Sequence, residues 1–204
     1  MKYKSLIILL IFTKVFSQGI TFPNDPSQVE EGGTDISGTI SSNTTWDVNG
    51  SPYTITANTV IMDGVTLMID PGVTVLFSQD SYLKTLSGAT LIAQGTETDS
   101  VYFMPAPNSS PTDVLKFEGG FVGSTVDQDT VYVGGTYFNY CVIRDFTNRF
   151  IPDLGGTLIL FENCRFFQNE IIFGDGTFAF NRCTFDKNNQ FAVKDWNGVL
   201  DIVI

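Results

Sequence analysis

The repeated phrases GTYFNYCVIRDF (135–146), GTLILFENCRFFQN (156–169) and GTFAFNRCTFDKN (176–188) determine the fold that we predict for this chain. Each phrase begins with Gly-Thr and contains one cysteine. A phenylalanine stands three residues before every cysteine, and an Ile or a Phe stands two residues after it. The aligned positions are Phe138, Cys141 and Ile143, then Phe161, Cys164 and Phe166, then Phe180, Cys183 and Phe185. Successive cysteines lie 23 and 19 residues apart, so the sequence pattern repeats about every 20 residues, which is the length of one coil of a solenoid.

This period favours a parallel β-helix over the other all-β repeat folds. Propeller blades repeat at about 40 to 50 residues, and a sandwich does not place one residue type at the same phase of successive turns. In a β-helix each coil stacks on the one before, so like residues form ladders along the axis. We therefore expect the aligned Phe, Cys and Ile side chains to face the core.

Polar pairs mark the corners between the predicted strands. Asn tolerates the left-handed backbone that a two-residue corner needs. A third strand is expected near 171–173 and 191–193, which gives three strands and three corners in each coil. The predicted fold is an all-β, right-handed parallel β-helix. The first set of corners comprises Asn139-Tyr140, Glu162-Asn163 and Asn181-Arg182, and a second polar corner includes Gln168-Asn169 and Lys187-Asn188-Asn189.

The N-terminal residues 1–18 have the pattern of a secretory signal peptide. Lys2 and Lys4 precede an apolar run from Leu6 to Phe12, and Ser17 lies near the expected cleavage point. We expect an exported chain, secreted or held at the cell surface, with no membrane span after signal cleavage. Residues 19–53 are predicted to form a lead-in and N-terminal cap, and 54–204 the β-helix coils, with loop excursions near 105–130.

Composition excludes several classes of function. The chain has 22 acidic and 11 basic residues, a formal net charge of -11 and a pI near 4.2, which argues against nucleic acid as a partner. No histidine occurs, so Ser-His-Asp and Cys-His catalysis and His-ligated zinc are excluded. Catalysis would require carboxylates, Lys, Arg, Tyr or a bound hard cation.

The excursions and the corners supply the candidate binding residues. Asp127 and Asp129 are close enough in sequence for a loop calcium site, and Ca²⁺ is the one cofactor that we consider. Tyr137 and Tyr140 fall at outward or corner phases, where their rings could stack on a sugar. We predict glycan contact at these two tyrosines and no catalytic residue.

The cysteines and the basic residues carry no catalytic pattern. Three cysteines at one phase predict a buried ladder, with a disulfide between neighbouring coils as the alternative. Arg144 aligns with Phe167 and Asp186, so the coils bring no column of carboxylates together. We therefore expect no acid-and-base pair of the kind that glycan hydrolysis uses.

The last seven residues, 198–204, align with residues 176–182. This alignment predicts that the sequence stops inside a coil, and hence that the β-helix is incomplete at its C-terminus. A β-helix whose end is uncapped presents unpaired strand edges and core.

The stretches ITANTVIMDGVTLMIDPGVTVLF and LSGATLIAQGTETDSVYFMPA resemble the opening coils of secreted bacterial right-handed β-helix proteins of the pectin-lyase-like superfamily. This superfamily includes lyases, hydrolases and adhesins, so the resemblance implies a fold rather than one activity. We expect an exported module for non-enzymatic adhesion or glycan contact, with an extracellular polysaccharide or cell-surface component as partner. The alternatives are the N-terminal part of a polysaccharide lyase or glycoside hydrolase, and a structural spacer.

Overall fold

Stacked coils of short parallel strands run through the described part of the chain. A computed structural model describes residues 33–127, 131–170 and 173–188. These residues form a parallel β-solenoid of about six turns, which confirms the predicted fold class. No helix among them is long and apolar enough to cross a bilayer. The predicted signal peptide (1–18), Asp129 and the C-terminal repeat (198–204) lie outside the described residues.

Most strands are short because a turn former or polar corner interrupts the alternating pattern every few residues. The bounds of the strands are β1 (Thr34–Ile40), β2 (Thr44–Trp46), β3 (Tyr53–Ile61), β4 (Thr66–Ile69), β5 (Thr74–Phe77), β6 (Leu83–Thr85), β7 (Thr90–Gln94), β8 (Val101–Pro105), β9 (Leu115–Phe117), β10 (Thr125–Val126), β11 (Tyr132–Gly134), β12 (Tyr137–Asn139), β13 (Cys141–Arg144), β14 (Ile151–Glu162), β15 (Arg165–Phe167), β16 (Phe173–Asn181) and β17 (Thr184–Asp186). Among these, β3, β14 and β16 are longer than the others.

The solenoid has three faces. Face 1 consists of β2, β4, β7 and β12 with the later parts of β14 and β16. Face 2 consists of β5, β8, β13, β15 and β17 with the first parts of β1 and β3. Face 3 contains β6 and β9 with the remaining parts of the long strands, since β3 bends and pairs with β5 through Tyr53–Ile55 and with β6 through Thr59–Ile61. The first two strands of the predicted coils are confirmed, whereas the predicted third strands at 171–173 and 191–193 lie outside the described residues except for Phe173.

Identical side chains stack along the axis inside the solenoid. Phe138, Phe161 and Phe180 occupy one register position of face 1 and are 0%, 0% and 3% exposed. Their ring centroids lie 4.8 Å and 5.5 Å apart in stacked geometry. Burying a side chain of this size stabilises the fold by about 1.5–3 kcal/mol. The phase predicted from the repeats is therefore the phase of the core.

The second polar corner contains a buried asparagine ladder. Asn169 is 1% exposed, and its Nδ2 donates to the carbonyl oxygen of Ile143 at 2.9 Å. Its Oδ1 accepts from the N–H of Phe146 at 3.1 Å. Asn188, one coil further on, repeats this arrangement by donating to the carbonyl oxygen of Phe166 at 2.8 Å. Each side chain thus ties its own corner to the preceding coil.

Two local features add to the sequence prediction. Parallel pairing begins at Thr34, within the predicted N-terminal cap, because β1 and β2 pair in parallel with β3 and β4. In the first set of corners the positive φ falls on the residue before each cysteine, at Tyr140 (47°), Asn163 (52°) and Arg182 (52°). Only one of these three residues is an asparagine, so the position in the coil, rather than the residue type, imposes the left-handed conformation.

Candidate functional site

Three cations converge on one outward-facing aromatic ring of face 2. Phe167 pairs in register with Arg144 of the preceding coil and with Asp186 of the next. The guanidinium carbons of Arg144 and Arg165 lie 5.6 Å and 5.5 Å from its ring centroid. The ammonium of Lys187 lies 5.1 Å from the same centroid. We call Arg144, Arg165, Lys187 and Phe167 the cation cluster.

Two carboxylates partly neutralise the cation cluster. Arg144 Nε donates to Asp145 Oδ2 at 2.7 Å, and Arg165 Nη2 donates to Asp186 Oδ2 at 3.3 Å. The exposed Lys187 has no carboxylate within salt-bridge distance among the described residues. The cation cluster thus brings three positive charges together around one ring, with two carboxylates beside them. The chain as a whole has a net charge of -11, so this grouping of three cations is locally more positive than the chain average.

The corner beside the cation cluster forms a polar ridge along the axis. Its members are held by bonds between coils: Asn163 Nδ2 donates to Asn139 Oδ1 at 3.0 Å, and Asn181 Nδ2 donates to Glu162 Oε1 at 2.7 Å. We call this set the corner ridge; it comprises Asn139, Tyr140, Glu162, Asn163, Asn181 and Arg182.

Tyr140, one of the two predicted glycan-contact residues, lies on the corner ridge and is half-buried. Its N–H donates to the carbonyl oxygen of Glu162 at 3.0 Å, and its carbonyl oxygen accepts from Val101 at 3.1 Å. The backbone of Tyr140 is therefore fixed by the coils on both sides. The structure contains no sugar, and glycan contact at Tyr140 stays a prediction.

Tyr137 lies on the outer side of face 1, but another aromatic ring covers it. The ring of Tyr132, from the β10–β11 hairpin, stacks on Tyr137 at 3.9 Å, and Tyr137 is only 4% exposed. Its hydroxyl donates to Glu162 Oε2. Burial, together with this carboxylate, raises the pKa of Tyr137 well above its usual value. The ring could stack on a sugar only if the hairpin moved.

The hairpin that covers Tyr137 is an excursion between faces 3 and 1. Ser124 Oγ at its base accepts from the N–H of Leu160 at 2.7 Å and donates to the carbonyl oxygen of Thr136. Gly135 has a φ of +91°, and a Cβ there would overlap the carbonyl oxygen of Gly123. The glycine at this position thus allows the hairpin to return against its own first strand.

Of the predicted calcium pair, Asp127 is described and Asp129 lies outside the described residues. Asp127 is exposed, and its Oδ1 accepts from the N–H of Val131 at 2.9 Å across the hairpin. In the described part of the chain, no three His, Cys, Asp or Glu residues come together at a spacing suited to a metal ion. The calcium site stays a prediction.

The repeat alignment gives the residues of the cation cluster their correct register but does not predict that they converge on one ring. Arg144, Arg165 and Lys187 follow the cysteines of their own coils by three, one and four residues, respectively. The three cations therefore occupy different positions in the aligned repeats. Another signal was present in the sequence. Seven Lys and Arg residues lie between residues 33 and 188, and five of them follow residue 143.

Comparison with known proteins adds no relative. A scan against protein-family models, a search of curated proteins and a search of solved structures each found no match.

Proposed function

We propose that this protein is an exported β-solenoid module that binds an acidic extracellular glycan without cleaving it. The observation that carries the proposal is the cation cluster, in which three cations surround one outward aromatic ring. Carboxylates or sulfates on a polymer would pair with the Arg and Lys side chains. The cations come from three successive coils, which stack at about 4.8 Å, so they suit a ligand whose charges repeat along the solenoid axis.

The corner ridge extends this proposed surface. Side-chain amides at Asn139, Asn163 and Asn181 recur once per coil beside the cation cluster and could bond to sugar hydroxyls. Tyr140 would supply an aromatic contact at the edge of the surface. The resemblance to secreted pectin-lyase-like proteins supports the same placement outside the cell, where such polymers occur.

Binding is tested with three polymers that share one backbone. Dextran, carboxymethyl-dextran and dextran sulfate are titrated into the full chain by calorimetry, at low and at high salt. We expect no binding to dextran and salt-sensitive binding to at least one charged form. Replacing Lys187→Gln should weaken that binding by about tenfold, since one charged contact is lost.

Lys116→Gln is the matched control variant. Lys116 also sits over an aromatic ring, at 4.0 Å from the centroid of Tyr82, but it lies on face 3. A similar loss in both variants would indicate a non-specific charge effect and contradict the proposed surface. Release of shortened chains from a charged polymer would favour the lyase or hydrolase alternative, and no binding to any polymer would favour a spacer.

Tyr140→Asn tests the edge of the surface. Asn tolerates the left-handed backbone at this corner, so the fold should be kept while the ring is removed. We expect about threefold to tenfold weaker binding, on the scale of a single aromatic contact. Unchanged affinity would show that Tyr140 is not part of the binding surface and would not affect the proposal for the cation cluster.

A further inference from the structure

The three cysteines form a continuous column of thiols in the core. Cys141 and Cys164 are each 1% exposed, and Cys183 is partly buried at the last described coil. Each thiol donates to a carbonyl oxygen of the preceding coil: Cys141 to Ala93 at 3.5 Å, Cys164 to Phe138 at 3.4 Å, and Cys183 to Phe161 at 3.3 Å. All three are free thiols in this structure.

The backbone register places neighbouring thiols one coil apart. The residues that follow the cysteines pair directly, Val142 with Arg165 and Arg165 with Thr184. Adjacent parallel strands lie about 4.8 Å apart, which is within the usual range of about 4.4–6.8 Å between the Cα atoms of a disulfide. The N–H of Cys141 also points at Cys164 Sγ at 3.4 Å, so the sulfur lies directly over the coil below.

Geometry permits only neighbouring pairs. Cys141 and Cys183 are two coils apart, or roughly 10 Å, which is beyond the reach of a disulfide without backbone movement. Cys164 is therefore the obligatory partner in any intramolecular disulfide. Solvent exposure favours Cys183 as the other partner, because Cys183 is the only one of these three thiols that is not fully buried and can meet an oxidant from solution.

We infer that Cys164 and Cys183 are an oxidation site that closes to an inter-coil disulfide when the folded chain meets a low-molecular-weight disulfide such as oxidised glutathione. The Cys183 thiolate attacks one sulfur of the oxidant and releases one glutathione thiolate, which leaves a mixed disulfide at Cys183. The Cys164 thiolate then attacks the Cys183 sulfur and releases the second glutathione. Two cysteines are oxidised and one disulfide is reduced, and both protons pass to the glutathione thiolates.

The column itself slows this reaction. The hydrogen bond to Cys164 and then burial raise the pKa of the Cys183 thiol above its usual value, and burial raises the pKa of Cys164. Only the thiolate attacks a disulfide, so the rate should rise with pH across the range in which the fold is stable.

Tryptic mapping of the folded full chain identifies the pair. Cleavage after Lys and Arg puts the cysteines on separate peptides, 117–144, 150–165 and 183–187. After incubation with oxidised glutathione, acid quenching and alkylation in denaturant, we expect 150–165 to be linked to 183–187. The number of free thiols should fall from the three of the reduced chain to one, on Cys141.

Variants separate this pairing from its alternatives. Cys141→Ala should keep the linked peptides, whereas Cys164→Ala should form no internal link and accumulate glutathione on Cys183. A link between 117–144 and 150–165, or a glutathione adduct alone in the unmodified chain, would overturn the inference. The map of the unmodified chain decides the question even if a variant fails to fold.

Discussion

Replacing Asn169 by alanine should lower the free energy of unfolding by about 3 kcal/mol. The substitution removes the acceptor of the Phe146 N–H and the side-chain donor to the Ile143 carbonyl oxygen, both in a buried corner. A buried polar group left without its partner costs about 1–3 kcal/mol, and two such groups are affected. The bond from Asn169 Nδ2 to Asn188 Oδ1, at 3.1 Å, is lost as well.

Urea unfolding followed by circular dichroism measures this loss. The control is Asn139→Ala, since the side chain of Asn139 is only half-buried and accepts one bond, from Asn163 at 3.0 Å. A single neutral bond of this kind is worth about 1 kcal/mol. If Asn169→Ala and Asn139→Ala shift the free energy of unfolding equally, the asparagine ladder does not act as a clamp between coils and the reasoning fails.

Three further substitutions test the core, the covered tyrosine and the hairpin. Phe161→Ala should cost about 3–5 kcal/mol in urea unfolding, and Phe185→Ala, at a site 37% exposed, clearly less; equal losses would contradict the core assignment. The pKa of Tyr137 is higher in the folded state than in the unfolded state, so the folded state keeps this proton to higher pH. The free energy of unfolding should therefore keep the full contribution of Tyr137 below the unfolded pKa of about 10 and decrease as the pH rises above that value. In urea titrations at alkaline pH, Tyr137→Phe should make the free energy of unfolding decrease less steeply with pH. An unchanged dependence on pH would contradict this prediction. Gly135→Ala should destabilise the fold by more than the roughly 1 kcal/mol expected for Gly64→Ala, because a Cβ at Gly64 meets nothing within 4 Å. If the two variants have similar thermal unfolding midpoints, the overlap of a Cβ at Gly135 with Gly123 is ruled out.

The repeats predicted the core because side-chain direction in a solenoid follows from phase alone. Once Cys141, Cys164 and Cys183 are aligned, alternation assigns the inward residues around them, and all of these are buried in the structure except the partly buried Cys183 and Phe185, which is 37% exposed. The asparagine ladder has a comparable signal in the sequence, although the sequence alone predicts only a polar corner there. Asn169 and Asn188 both follow their cysteines by five residues, and a recurring amide at one offset indicates a stack.

The burial of Tyr137 beneath Tyr132 could not be predicted from the position of Tyr137 in the repeat. Alternation correctly puts Tyr137 on the outer side of its strand, but Tyr132 reaches it from an excursion that has no counterpart in the other repeats. The convergence of cations on Phe167 is similarly hidden, because side chains of different length reach one ring from different offsets. Long-range contacts of this kind depend on three-dimensional reach, which a linear alignment does not contain.

The base of the hairpin has a consequence for protein engineering. Its two ends are joined by the Ser124 side chain and by a bond from the Thr136 N–H to the Val122 carbonyl oxygen at 2.8 Å, so the chain leaves and re-enters the solenoid at almost one point. A longer insert between Asp127 and Val131 would add loop length without changing the spacing of the coils, and loop length itself costs little free energy. This excursion is therefore a suitable grafting position for the display of a foreign peptide.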